Sequence, residues 1–328
     1  VPVPVRPALA LGCASAFSAL PGAFYHRVAE TTGSTWSTVW LFTGHGLAGT
    51  LALTVLLARS GRPLAPRALP VLLVADAAAG LLLVLAPAPG GFGLLLAGRL
   101  LTGALLGLIT TLATGLLLAA PGGSRVAVAM IFGGVGVGSL GAGLLSGAGW
   151  SRAAVLGLGV AGLICAATVV LLDPGRPEHL EREAPVSGGE TSNRAVALAF
   201  VSNGVLALFT STLPGVVADH GSGSALLAGS TAGIVMLAAG GARLGLTRLP
   251  ATAGLGVAVI GVFLFGAGLA HGGVPLLLAG GLLLGAAAGI GYDAALNLSS
   301  GVIGLHAVQR GGQLGLVLPV LVYPLVVR

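Results

Sequence analysis

The chain has no lysine; all fifteen of its basic residues are arginine, which points to a GC-rich, bacterial coding sequence. Charge of either sign is scarce, at 7% of residues. A soluble domain carries about 25%. So little charge cannot cover a water-facing surface. Only two cysteines occur, Cys13 and Cys165, both in apolar segments, which excludes a disulfide framework and a zinc site. There is no Walker loop, no zinc-type His/Cys spacing and no nucleophile elbow. ATP-driven pumping and soluble-enzyme chemistry therefore have no carrier here, and no cofactor or metal is expected. No cleavable signal peptide is apparent, because the first apolar segment ends in Tyr25-His26-Arg27 rather than in small residues.

What the chain does have is apolar residues, 55% of the total, and 57 glycines. Small residues let membrane helices approach closely. A bilayer crossing needs roughly 20 apolar residues. Eleven such stretches are predicted, at about 8–28, 35–57, 68–86, 92–119, 126–147, 153–172, 195–217, 223–242, 250–270, 274–300 and 311–327. Between the sixth and seventh lies a polar linker, Asp173 to Arg194, with eight of the 24 charged residues.

The flanks of that linker resemble each other. Ser18 to Gly22 recurs as Ser211 to Gly215, and Ala58 to Gly61 as Ala242 to Gly245. Leu94 to Gly107 recurs as Leu276 to Gly289 with ten of fourteen positions identical. Matches in the same order at nearly one offset imply a duplicated membrane bundle. The expected fold is all-α: a six-helix bundle over 1–172, a cytoplasmic linker over 173–194 and a second bundle over 195–328. Span four matches span ten, so span eleven should match span five. The counterpart of span six would then be a twelfth helix, expected beyond residue 328 in the native gene product.

Arginine placement orients the chain. With the N-terminus in the cytoplasm, eleven arginines fall inside and three, Arg27, Arg152 and Arg328, outside; Arg99 is within a span. The net charge of +6 then faces anionic lipid headgroups rather than nucleic acid. Trp36, Trp40 and Trp150 fall at outer boundaries as interface anchors.

Intramembrane polar residues are functional candidates. By helical rise, Arg99 lies roughly 10 Å below the outer surface and Asp76 roughly 12 Å above the inner one. Arg99 keeps its charge and needs a cavity or a carboxylate. Asp76 can take up a proton, because the membrane disfavours the charged carboxylate. Asp293, after Tyr292, reads as interfacial. Asn203, His45, Asn297 and Gln313 are candidate cavity-lining hydrogen-bonding groups. A helix-carbonyl bond is the commoner fate of a lone Asn or His.

Three motifs resemble those of the major facilitator superfamily of secondary transporters. Arg59-Ser60-Gly61-Arg62 matches the end of its Gly-x-x-x-Asp-Arg-x-Gly-Arg loop, with Thr54 and Ala58 where the Gly and Asp would stand. Arg99-Leu100-Leu101-Thr102-Gly103 is similar to its Arg-x-x-Gln-Gly signature, with Thr102 for Gln. Gly134, Gly138 and Gly143 resemble the glycine signature of its antiporters, with Ser139 for Pro. Close helix packing is the plainer account of those glycines. The resemblance implies two six-helix halves, a substrate between them and alternating access. Transport and coupling candidates are Asp76, Arg99, Thr102, Asn203, Tyr292 and Asp293. Arg59, Gly61, Arg62 and Arg243 are candidates for a gating loop. The expected activity is proton-coupled export of a small organic molecule by a multi-pass, monomeric protein of the cytoplasmic membrane, with metabolite uptake as the alternative. A transport-inactive receptor or scaffold is the alternative from another class.

Overall fold

A computed structural model describes residues 4–34, 36–60, 64–87, 91–172, 192–220, 225–245, 251–271, 273–299 and 301–326. Among them every regular element is helical and there is no strand. The first bundle runs α1 (Val5–Ala19), a 3₁₀ turn (Leu20–Phe24), α2 (Tyr25–Thr32), α3 (Trp36–Ser60), α4 (Ala68–Leu85), α5 (Phe92–Leu118), α6 (Gly123–Gly147) and α7 (Arg152–Leu172). The second runs α8 (Asn193–His220), α9 (Ala225–Gly245), α10 (Ala251–His271), α11 (Val274–Leu298) and α12 (Gly301–Val326). Most of the predicted linker, 173–191, lies outside the described residues, and α8 already contains Asn193 and Arg194.

Among the described residues, seven helical segments are long and apolar enough to cross a membrane. Large apolar side chains point away from the bundle, such as Val71, Leu172 and Phe263 at 67%, 75% and 74% exposure. In water such a surface would associate; against lipid tails it costs little. Short turns make successive helices antiparallel. One of these turns, between α5 and α6, depends on Gly122, whose φ of 74° disfavours any residue with a side chain.

Glycine packing shows the duplication in three dimensions. A Cβ at Gly103 or Gly107 of α5 would meet the backbone of His45 or Gly49 of α3. At an offset of 182, Gly285 and Gly289 of α11 lie in the same way against Val235 and Ala239 of α9. On α6, Gly134 and Gly138 lie against Gly12 and Ala16 of α1. Their equivalents on α12, Gly311 and Gly315, lie against Val196 and Phe200 of α8. Span eleven therefore repeats span five, as the sequence implied. The register of α3 against α9 differs from the sequence match, however. His45 and Gly49 correspond to Val235 and Ala239 at an offset of 190, not the 184 that pairs Ala58 with Ala242. Arg243 is thus not the spatial counterpart of Arg59; it lies about six residues deeper in its helix.

The halves meet along two crossings, α6 with α9 and α3 with α12. At the first, Gly133 and Gly136 oppose Gly233, Leu237 and Gly240 with backbone against backbone. At the second, Gly46 and Gly49 receive Val317 and Gln313. The internal repeat maps each crossing onto the other.

Candidate functional site

In the first half the polar residues gather on Arg99, which is 4% exposed. Pro21 explains why it is needed. Ser18 lies in the last turn of α1, just before the 3₁₀ turn, and an i+3 bond to its carbonyl would have to come from residue 21, which as proline has no N–H. Arg99 Nη1 donates to that carbonyl instead, at 2.8 Å, while Nε donates to Leu41 O at 3.3 Å. The guanidinium also lies 5.9 Å from the Tyr25 ring centre, a cation–π distance. His45 Nδ1 is 3.1 Å from the Arg99 carbonyl, and Thr102 Oγ1 donates to the same carbonyl at 3.3 Å. Arg99 therefore ties α1, α3 and α5 together.

Asp76, 1% exposed on α4, has one carboxylate oxygen, Oδ1, buried without a hydrogen-bond partner. It is close enough to Arg99 for the two charges to interact. Because α4 packs on α1, α5 and α7, this pair lies inside the first half rather than at the junction. A buried carboxylate with an open oxygen offers a place for a proton.

The second half has a different set. Arg243 Nη2 and Asp293 Oδ2 form an ion pair of 2.5 Å between α9 and α11, with side chains 10% and 1% exposed. Beside it, Tyr292 Oη donates to Gln309 Oε1 of α12 at 3.0 Å. A Cβ on Gly312, one turn beyond Gln309, would meet both the Asn203 amide of α8 and the Tyr292 ring. So α8, α11 and α12 converge there. Asn203 Oδ1 and Gln309 Nε2 are both buried without partners. One acceptor and one donor are thereby left open within a single uncharged cluster.

A ring contact connects this cluster to the first half, and a cleft lies between the halves nearby. The Phe132 ring of α6 meets the Tyr292 ring edge-on, with centroids 5.3 Å apart and an interplanar angle of 73°. A cavity of about 380 Å³ is lined by Leu118, Ala120 and Gly122 to Arg125 of the first half and by Asn297 of the second. It opens at the end of the bundle where α7 finishes and α8 begins, the linker end. Among the described residues no group of His, Cys, Asp or Glu could hold a metal ion.

No family model matches the sequence, and no curated protein matches it. Comparison of the fold does find similar solved structures. The proton:xylose symporter XylE, solved bound to 6-bromo-6-deoxy-D-glucose, superposes with a TM-score of 0.70 over 98% of this chain and 88% of its own, at 12% identity. The chain has the major facilitator fold. It is built from two pseudo-repeated helical bundles, as the internal repeat implied.

Within the major facilitator fold the sequence candidates separate. Asp76, Arg99 and Thr102 fall in one cluster and Asn203, Tyr292 and Asp293 in the other. Thr102 is bonded to its own helix. Asp293, read as interfacial, is almost fully buried and ion-paired. Arg243, read as a loop residue, is inside the bundle. Gly61 and Arg62 lie outside the described residues, as does the Arg59 side chain. Gly134 and Gly138 pack α6 on α1, and Gly143 is buried. Sequence reading missed Gln309, His306 and Phe132. It started the last span at residue 311, whereas α12 starts at Gly301 and carries His306, Gln309 and Arg310 as its second and third turns. Their i, i+3, i+4 spacing on an otherwise apolar helix was the available signal. Phe132 carried none.

Proposed function

We propose that this chain is a secondary transporter that exports a small organic molecule across the cytoplasmic membrane in exchange for protons, by alternating access between residues 1–172 and 195–328. The observation that carries the reading is the uncharged cluster of Asn203, Tyr292 and Gln309, with an unpartnered donor and acceptor beside the junction of two repeated halves. Buried polar atoms without partners cost free energy that a bound solute can recover. Asp76 carries the proton in this scheme and Arg99 sets how readily it does so. The N-terminus and the 173–194 linker face the cytoplasm, where Arg59, Gly61 and Arg62 serve as gating residues. The protein acts as a monomer in the bilayer, without catalysis of covalent chemistry.

Uptake is the second reading, favoured by the symport named for XylE. Counterflow of a candidate solute in sealed vesicles of both orientations, with and without a proton gradient, tests both. Export predicts accumulation in inverted vesicles that collapses with a protonophore. Accumulation only in right-side-out vesicles supports uptake, and binding without flux in either refutes transport.

A further inference from the structure

We propose that Phe132 and Tyr292 form the gate that closes the central cluster off from the linker end of the bundle. The inference rests on the alternating-access reading and assigns the step at which one face of the protein opens.

Position along the helices is the first argument. Asn297 and Arg125 line the open cleft from the two halves. Tyr292 lies five residues before Asn297 on α11, which by helical rise is about 7.5 Å deeper. Phe132 lies seven residues after Arg125 on α6, about 10 Å deeper by the same rise. The two rings therefore sit just past the floor of the cleft, and they meet across the junction of the halves. Each ring is almost fully buried, at 3% and 2% exposure.

The second argument is how the rings are held. Tyr292 is fixed by its hydroxyl on Gln309. The Asn203 amide stands against the same stretch of α12, at Gly312. A solute that engages the open Asn203 and Gln309 groups thus pulls on the residue that positions Tyr292. Phe132 has no polar handle and follows α6, which carries the glycine crossing with α9. Separation of α6 from α11 would part the rings without breaking a polar bond between them. Gln309 is accordingly a positioning residue for the gate.

The test needs no substrate. In a Cys13→Ser/Cys165→Ser background, the reporter Gln313→Cys sits on α12 past the rings. Twelve residues of helix put it about 18 Å from the linker end. A second reporter, Thr43→Cys, is buried on α3 toward the opposite end. Labelling by a small cationic methanethiosulfonate is timed on purified protein in detergent, where the reagent reaches both ends. An edge-on pair of this kind should hold the closed state by enough that Phe132→Ala speeds labelling at Gln313→Cys about fivefold. Labelling at Thr43→Cys should not change. Tyr292→Phe keeps the ring but loses Gln309, and should speed labelling about twofold; it serves where Phe132→Ala does not fold. An unchanged Gln313→Cys rate in both variants overturns the gate, and so does an equal rise at both reporters, which is general loosening. Because no flux is measured, a failed gate leaves the transport reading standing, and failed transport leaves the gate measurable.

Discussion

Removing one partner of the Arg243–Asp293 pair gives a quantitative check on the second bundle. The pair joins α9 to α11 at 2.5 Å with both side chains nearly excluded from solvent. Breaking a buried pair from one side costs about 3–5 kcal/mol, because the remaining charge stays buried. Arg243 has a further interaction of its own. Asp293→Ala should therefore fall at the lower end, about 3 kcal/mol, and lower the melting temperature in detergent by roughly 5 °C. Replacing both, as Arg243→Met with Asp293→Leu, removes both desolvation costs and should recover most of that loss. The assay is a double-mutant cycle on thermal unfolding, followed by intrinsic fluorescence or by light scattering. If Asp293→Ala melts like the parent, the side chains are wetter than their exposure implies. If the double variant is as unstable as the single one, the pair is not what couples the two helices.

The remaining predictions concern packing, the first-half cluster and topology. A Cβ at Gly138 would run into the Ala16 carbonyl, so Gly138→Leu should abolish folded, monodisperse protein. Gly141→Ala, which meets nothing within 4 Å, should be neutral by size-exclusion chromatography. Arg99 holds Ser18 O and Leu41 O together through its guanidinium fork, which lysine cannot reproduce. Arg99→Lys should therefore be destabilised by about 1–3 kcal/mol, and a wild-type melting curve would remove the proposed clamp. Asp76→Asn should abolish gradient-driven flux yet keep counterflow, and proton-driven transport at the parent rate would exclude Asp76. Cysteines at Ser187 and Ser222 should label from outside intact cells only at Ser222; the reverse pattern inverts the topology.

The sequence carried the duplication because glycines that touch backbone cannot be exchanged for larger residues. Leu94 to Gly107 kept Gly103 and Gly107 in its second copy for that reason. Arginines near a helix end carry no such constraint, since no close backbone approach fixes their register. The Ala58 and Ala242 match therefore paired residues that are not equivalent in space, and it placed Arg243 in a loop. Hydropathy found the apolar run of α12 but not its start, because the polar residues of its first turns face protein rather than lipid. The Asp76 and Arg99 proximity was open to expectation as the deepest charges. The carbonyls of Ser18 and Leu41 as arginine partners were not, since backbone acceptors leave no trace in side-chain pattern.

Distance between the two halves at each end of the bundle tests the central claim most directly. Spin labels at Ala119 and Asn297 report the linker end, and labels at Ser34 and His271 report the opposite end; all four positions are exposed. Double electron–electron resonance in acidic and alkaline buffer would follow protonation of Asp76, with Asp76→Asn fixing the protonated form. Alternating access predicts that one pair lengthens as the other shortens, and that Asp76→Asn no longer responds to pH. Distances that stay fixed at both ends, or that change together, would contradict it.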